Sequence, residues 1–250
     1  MIAIGRSHGK SLIRCAAINI RPKAIDISPL FVSTSIKCFI RMDEDSIPRF
    51  VKEEEVARCK WLALNKITYI DPRGKERLWE AAKRTTTCDT GCDAVCVIAV
   101  LKRLLKFDSL VLVKQYRPPM RAYTLEMPAG LMDKKETPEQ TAVRELKEET
   151  GYTATPKHIS PITCMDAGTE NVTLQMVTAE IDGDTDDNKN PKPNPEESEC
   201  IEVVHVPMND LIGKLNEFAK SGVVVDSRLY SYAIGLEMTK DNTQSPSVHT

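Results

Sequence analysis

At 250 residues the chain is long enough for one large or two small domains and for a sizeable buried core. A net charge of −2 and a pI near 6.1 exclude a general basic surface for nucleic acid, and no run of about 18 apolar residues offers a membrane span. Cysteine spacing excludes the common zinc folds: Cys88, Cys92 and Cys96 find no second knuckle of Cys or His. Cys96, Cys164 and Cys200 read instead as small buried hydrophobes, with the thiols reduced because no secretory signal is present.

In chain order, residues 1–41 form a basic leader: Arg6, Lys10, Arg14, Arg21, Lys23, Lys37 and Arg41 stand against the single acid Asp26. This composition is that of a mitochondrial transit peptide or of an extension without function, and Met42 offers an internal start. The expected location is the cytoplasm or nucleus, and the mitochondrion if the leader targets. Residues 42–90 hold a predicted hairpin: Trp61–Ile70 is strand-like, Asp71–Gly74 a turn, and Lys75–Thr85 the return strand, which puts Trp61 and Trp79 on opposite strands.

Residues 91–240 form the main domain. Cys96–Leu101 and Ser109–Tyr116 are apolar strands, Arg117-Pro118-Pro119 breaks the chain, and a further strand ends at Leu125–Pro128. Thr137 is a predicted N-cap with Pro138 at the first helical position, Gln140 closing a capping box and Gly151 ending the helix. Ala142, Val143, Leu146 and Thr150 make its apolar stripe. Ile162–Ala167 and Val172–Ile181 read as strands, the Pro/Asn/Asp-rich segment 182–199 as an irregular loop, and Cys200–Val206 as another strand. Helices follow from Pro207 to Lys220 and from Asp226 to Lys240, then a polar tail, 241–250. Strands interleaved with few helices argue an α/β or α+β fold built on a mixed sheet.

Chemistry concentrates on the helix after Pro138. At 100° per residue, Glu145, Glu148 and Glu149 share one face, about 120° round from the apolar stripe. Three carboxylates so placed repel one another, and a hard cation such as Mg²⁺ offsets that repulsion while leaving room for water and phosphate. Lys-Glu-Glu runs of this kind are more often solvated faces. The full spacing is far more specific: Gly130, five residues, Glu136, seven residues, then Arg144-Glu145-Leu146-x-Glu148-Glu149-x-Gly151-Tyr152 resembles the signature box of the Nudix hydrolases at every defined position.

That resemblance implies an α/β/α sandwich around a mixed sheet, with the box as loop, helix and loop. It extends over roughly residues 55–240, and TYIDPRGKERLWEAAKRTT, LVLVKQYRPPMRAYTLEMPAGL, CMDAGTEN and YSYAIGLEM look like the ADP-sugar pyrophosphatases. The family pattern implies Mg²⁺-dependent hydrolysis of ADP-ribose and related ADP-sugars to AMP and a phosphosugar. Two or three Mg²⁺ per site, with Mn²⁺ able to substitute, would be held by Glu145 and Glu149, supported by Glu148, Glu136 and the Ala129 carbonyl. Arg144 would pair with a box glutamate and fix its rotamer. Glu136 has a second reading, as an acid favouring the helix dipole. The matching position for a general base is Glu199, on the mobile loop, with Glu196 and Glu197 close enough to compete.

By the same resemblance Trp61 and Trp79 sandwich adenine, each from a different subunit of a homodimer with exchanged N-terminal strands. From the residues alone a tryptophan is more often core. Glu80 would accept from the adenine amino group, Arg84 and Arg117 would hold the diphosphate or terminal ribose, and Asp166 opens a loop whose Thr169, Glu170 and Asn171 would tune the sugar pocket. Met127 stands where an aromatic is common and Tyr116 where Phe is frequent, swaps that keep size and apolar character. Rival readings are a Nudix hydrolase of oxidised guanine nucleotides and a non-catalytic nucleotide-sugar sensor. An intact, self-repelling acid cluster argues against the sensor.

Overall fold

The computed structural model describes residues 47–86, 91–195 and 199–244. The basic leader, Cys88, Glu196, Glu197 and the end of the polar tail lie outside them. Strands β1 (Arg49–Arg58), β2 (Leu62–Ile70) and β3 (Glu76–Arg84) form an antiparallel sheet. Then follow β4 (Ala94–Lys102), β5 (Ser109–Arg117), β6 (Ala122–Glu126), β7 (Ala129–Leu131), α1 (Pro138–Thr150), β8 (Thr155–Ile159), β9 (Thr163–Cys164), β10 (Thr173–Asp182), α2 (Asp186–Lys189), β11 (Glu202–Pro207), α3 (Leu211–Lys220), β12 (Val224–Val225) and α4 (Ser227–Gln244).

The nine strands from β4 on make one mixed sheet among the described residues. β10 runs parallel to β4 and β12 parallel to β6, and the other pairings are antiparallel. Side-chain alternation sets the layers. Val95, Val97, Ala99 and Leu101 of β4 pack with Ala142 and Leu146 of α1, whereas Cys96 and Ile98 join Leu211, Leu215, Leu229 and Ala233 of α3 and α4. Both faces of β4 are therefore apolar, and its sequence is a continuous hydrophobic run rather than an alternating one. This is the sandwich of helices about a mixed sheet that the resemblance implies.

Two features of the sheet place the site. The first half of β4 pairs with β7 at Ala94–Cys96 while its second half pairs with β5 at Ala99–Leu101, so β4 and β5 diverge. Val97 N–H donates to the carbonyl of Pro128 at the fork, and β6 and β7 are threaded past it. Box residues on β7 and α1 thus stand over an opening in the sheet.

Several expectations change. The N-terminal hairpin is a three-stranded sheet, because the charged segment RFVKEEEVAR supplies β1. Trp61 is not on a strand: Cys59 N–H donates to the Leu62 carbonyl at 2.7 Å, closing a two-residue turn with Trp61 inside it. Cys96 is buried as expected, but Cys164 and Cys200 are exposed, lying at the ends of edge segments rather than within the sheet. Only Thr163–Cys164 of the expected strand at 162–167 is extended, β8 was unforeseen, and a 3-10 turn at Met208–Asp210 precedes α3.

Candidate active site

α1 begins as its sequence dictates. The Thr137 hydroxyl accepts from the Gln140 amide at 3.3 Å and the Gln140 side chain accepts from the Thr137 amide at 2.9 Å. Gly151 terminates the helix at φ 77°, its N–H donating to Lys147. The apolar stripe holds at Ala142, Leu146 and Thr150, but Val143 is only half-buried and Glu149, only 4% exposed, takes a place in the interior.

Among the described residues, Glu149 is held there by one side-chain hydrogen bond, from the Ala129 amide at 3.3 Å. Burial pushes its carboxyl up to about 8, and the charges of Glu145 and Glu199 add to the shift. Glu145 is raised for the same leading reason, partly opposed by Arg144. A Cβ at Gly130 would lie 2.0 Å from the Glu145 carboxyl carbon, so any side chain there would displace that carboxylate.

Arg144 is the hub of the box. It donates to both oxygens of Glu136 at 2.9 Å, to Glu145 at 2.8 Å, to Glu148 at 3.1 Å and to the Leu131 carbonyl at 3.0 Å. Glu136 also accepts from the Thr141 hydroxyl and the Asp133 amide, and its carboxyl falls to about 2, chiefly through Arg144. Both oxygens of Glu136 are thereby committed to anchoring the arginine. Among the described residues no trio of carboxylate, thiol or imidazole groups is gathered at metal-ligating spacing, and the Arg144 guanidinium bonds both Glu145 and Glu148.

The donor set nonetheless fits a hard divalent cation. The charges of Glu145 and Glu199 raise the proton affinity of Glu149, those of Glu148 and Glu199 raise that of Glu145, and Glu149 has no cationic hydrogen-bond partner among the described residues. Arg144 keeps Glu136 and Leu131 if Glu145 and Glu148 turn away. Carboxylates with that excess of negative potential are what such a cation neutralises.

A cavity of about 970 Å³ opens in front of Glu145 and Glu148, while Glu149 and Glu136 do not line it. Glu145, Glu148, Ala129 and Gly130 line one side, Glu199 enters from the loop before β11, and Arg84, Arg117 and Arg228 supply positive charge. The loop is less irregular than expected. It carries α2, its Asn188 bonds Thr153 and Asp182, and the Asn194 amide donates to the Glu148 carbonyl at the end of α1 at 2.7 Å. Gly151 permits this docking, for a Cβ there would meet the Lys192 backbone nitrogen at 2.4 Å.

Trp61, Trp79, Glu80 and Asp166 do not line this cavity. Trp61 and Trp79 are 58% and 46% exposed, with Trp79 Nε1 donating to the Gly168 carbonyl at 2.9 Å and the Lys60 ammonium over the Trp61 ring. Glu80 is exposed on β3 opposite Lys66, and Asp166 accepts from the Gly168 amide in its own turn. Three groups at the cavity went unassigned from the sequence: Glu126, which grips Arg117 through two hydrogen bonds of 2.8 Å, and the pair Asp226 and Arg228. A buried acid within TLEMP was the available signal for Glu126. The other pair looked like an ordinary helix start.

Clustered acids facing arginines across a cleft define a site for a polyanion handled with a hard cation. Residues 90–225 match the Nudix domain. The chain is 45% identical over 74% of its length to the mouse ADP-sugar pyrophosphatase, covering 85% of that protein, and 39% identical over 75% to the Saccharomyces cerevisiae ADP-ribose pyrophosphatase, covering 81% of it. The crystal structure of an ADP compounds hydrolase superposes with a TM-score of 0.56 at 20% identity, covering 79% of this chain and 96% of that one, a likeness of fold. The chain belongs to the Nudix hydrolases, in the ADP-sugar pyrophosphatase branch of the family.

Proposed function

We propose that the protein hydrolyses the diphosphate bond of ADP-ribose and related ADP-sugars, releasing AMP and a phosphosugar, ribose 5-phosphate from ADP-ribose. The observation that carries this reading is the cavity in which Glu145 and Glu148 of α1 face Glu199, Arg84, Arg117 and Arg228. Relatives with 39–45% identity bear the corresponding names. Glu145, Glu148, Glu149 and the Ala129 carbonyl are assigned to Mg²⁺, two or three ions per site, with Mn²⁺ as a substitute. Bound there, the metal would neutralise diphosphate oxygens and lower the pKa of water. Glu136 fixes Arg144, and Arg144 in turn sets the rotamers of Glu145 and Glu148.

Water attacks one phosphorus, its proton passes to Glu199, and the bridging oxygen leaves with the other phosphate. Arg84 and Arg117 hold the diphosphate. Arg84 has no carboxylate partner among the described residues, and Arg117 is pre-oriented by Glu126. Trp61, Trp79 and Glu80 are assigned to adenine in a homodimer. Leu62, Leu64 and Leu78 are exposed on one face of the N-terminal sheet and Trp79 on the other, apolar surface that a second copy would cover.

The deciding experiment offers ADP-ribose, ADP-mannose, ADP-glucose and 8-oxo-dGDP to the full chain with Mg²⁺ and follows AMP and phosphosugar. AMP from ADP-ribose, lost on adding chelator, is the expected result. Turnover of the oxidised nucleotide alone would install the rival hydrolase, and binding without turnover the sensor.

A further inference from the structure

Two ion pairs stand side by side on one wall of the cavity. β12 runs parallel to β6 with Val224 beside Thr124 and Val225 beside Leu125, and the Asp226 amide donates to the Leu125 carbonyl at 3.0 Å. This register brings Asp226 next to Glu126. Each acid grips an arginine in the same way. Arg117 Nε and Nη2 reach the two oxygens of Glu126 at 2.8 Å, and Arg228 Nε and Nη2 reach those of Asp226 at 3.0 and 2.7 Å.

The acids lie below and the guanidinium groups above. Glu126 and Asp226 side chains are 11% and 17% exposed, against 45% and 27% for Arg117 and Arg228. Both arginines line the cavity, and neither Nη1 has a carboxylate partner among the described residues. Capping α4 does not explain Arg228, because Asp226 already accepts the Arg228 and Leu229 amides at 2.8 and 3.2 Å and would do so with any side chain at 228. Holding a guanidinium half out of water entails a desolvation cost, which a site that must meet an anion has reason to bear.

We propose that Arg228 is a further substrate-binding residue, a second guanidinium beside Arg117 that takes diphosphate oxygens, and that Asp226 is its positioning residue. The proposal rests on the ADP-sugar reading above. It makes the start of the C-terminal helix part of the substrate site. Paired guanidinium edges match the oxygens of a diphosphate in a way that two ammonium groups would not.

The test uses the full chain with Mg²⁺ and two probes: inorganic diphosphate, which carries only the charged part of the substrate, and adenosine, which carries none of it. For Arg228→Ala the expected result is diphosphate binding weakened about 10-fold or more by calorimetry, adenosine binding unchanged within about twofold, and KM for ADP-ribose raised about 10-fold with kcat reduced less than about threefold. Asp226→Asn weakens diphosphate in the same direction, and the double variant binds it no worse than Arg228→Ala alone. Should Arg228→Ala not fold, Arg228→Gln, which keeps the stem, is read in the same way. Unchanged diphosphate affinity, or equal loss for both probes, overturns the proposal. A wild-type chain that hydrolyses no ADP-sugar would sink the assigned reaction, while the diphosphate titration would still decide the role of Arg228.

Discussion

Glu149 is the buried acid of α1, and its environment predicts a pH signature. With its folded-state carboxyl at about 8, well above the ordinary value of 4.5, the metal-free fold favours the protonated form. The associated stability is fully present below 4.5 and is lost as pH rises through 8. Chelator-treated protein should therefore show a melting temperature that falls between pH 5 and 9, and Glu149→Gln should flatten that profile while lowering turnover at least about 100-fold. A profile unaltered by the substitution would remove Glu149 as its source. Glu136 has the opposite sign. Its carboxyl, lowered to about 2 by Arg144, contributes stability that is present above 4.5 and lost as pH falls through 2. Glu136→Gln should cost about 1–2 kcal/mol near neutral pH, measured by urea unfolding, and should lower kcat by loosening Arg144.

At the scale of elements, α1 and the loop before β11 form one device. The loop carries Glu199, yet it is positioned by the end of α1, through the Glu148 carbonyl and the close approach at Gly151. Gly151→Ala places a methyl against the Lys192 backbone and penalises the left-handed φ of 77°. The expected result is kcat lowered about 10-fold or more with Mg²⁺ affinity reduced less, since the clash falls on the loop backbone at Lys192 rather than on the α1 carboxylates. Calorimetry alongside steady-state kinetics checks both, and unchanged kcat would mean that the loop does not depend on this anchor. The capping box, the proline at the first turn and the terminal glycine were all legible because each is a local hydrogen-bonding requirement. β1 was not legible. Its run Lys52-Glu53-Glu54-Glu55 has no alternating apolar pattern, and it is a strand because the edge of β2 pairs with it and Glu53 meets Lys83 and Asn65 across the sheet.

For the whole molecule, the three-stranded sheet leaves Leu62, Leu64 and Leu78 in solvent on one side and Trp79 on the other. If a second copy covers this surface and brings the adenine platform to the cavity, Leu64→Asp should yield monomer by light scattering and raise KM for ADP-ribose several-fold. Trp79→Ala should raise KM to a similar extent with the dimer intact, because base stacking is worth roughly 1–3 kcal/mol. A monomeric wild-type protein with normal KM would return both residues to a role within one chain. The leader is tested separately, by fusing residues 1–41 to a fluorescent reporter: mitochondrial signal supports targeting and diffuse cytosolic signal excludes it.

By itself, the sequence determined the family, the helix with its caps and the identity of the acids, because these are carried by residue types at fixed short spacings. Only the tertiary structure decided how deeply Glu149 is buried, that Glu136 serves Arg144, and that Glu126 and Asp226 clamp two arginines on one wall. Burial, proton affinity and ion pairing across the sheet depend on which distant strands become neighbours, and β6 beside β12 is a pairing between segments about a hundred residues apart.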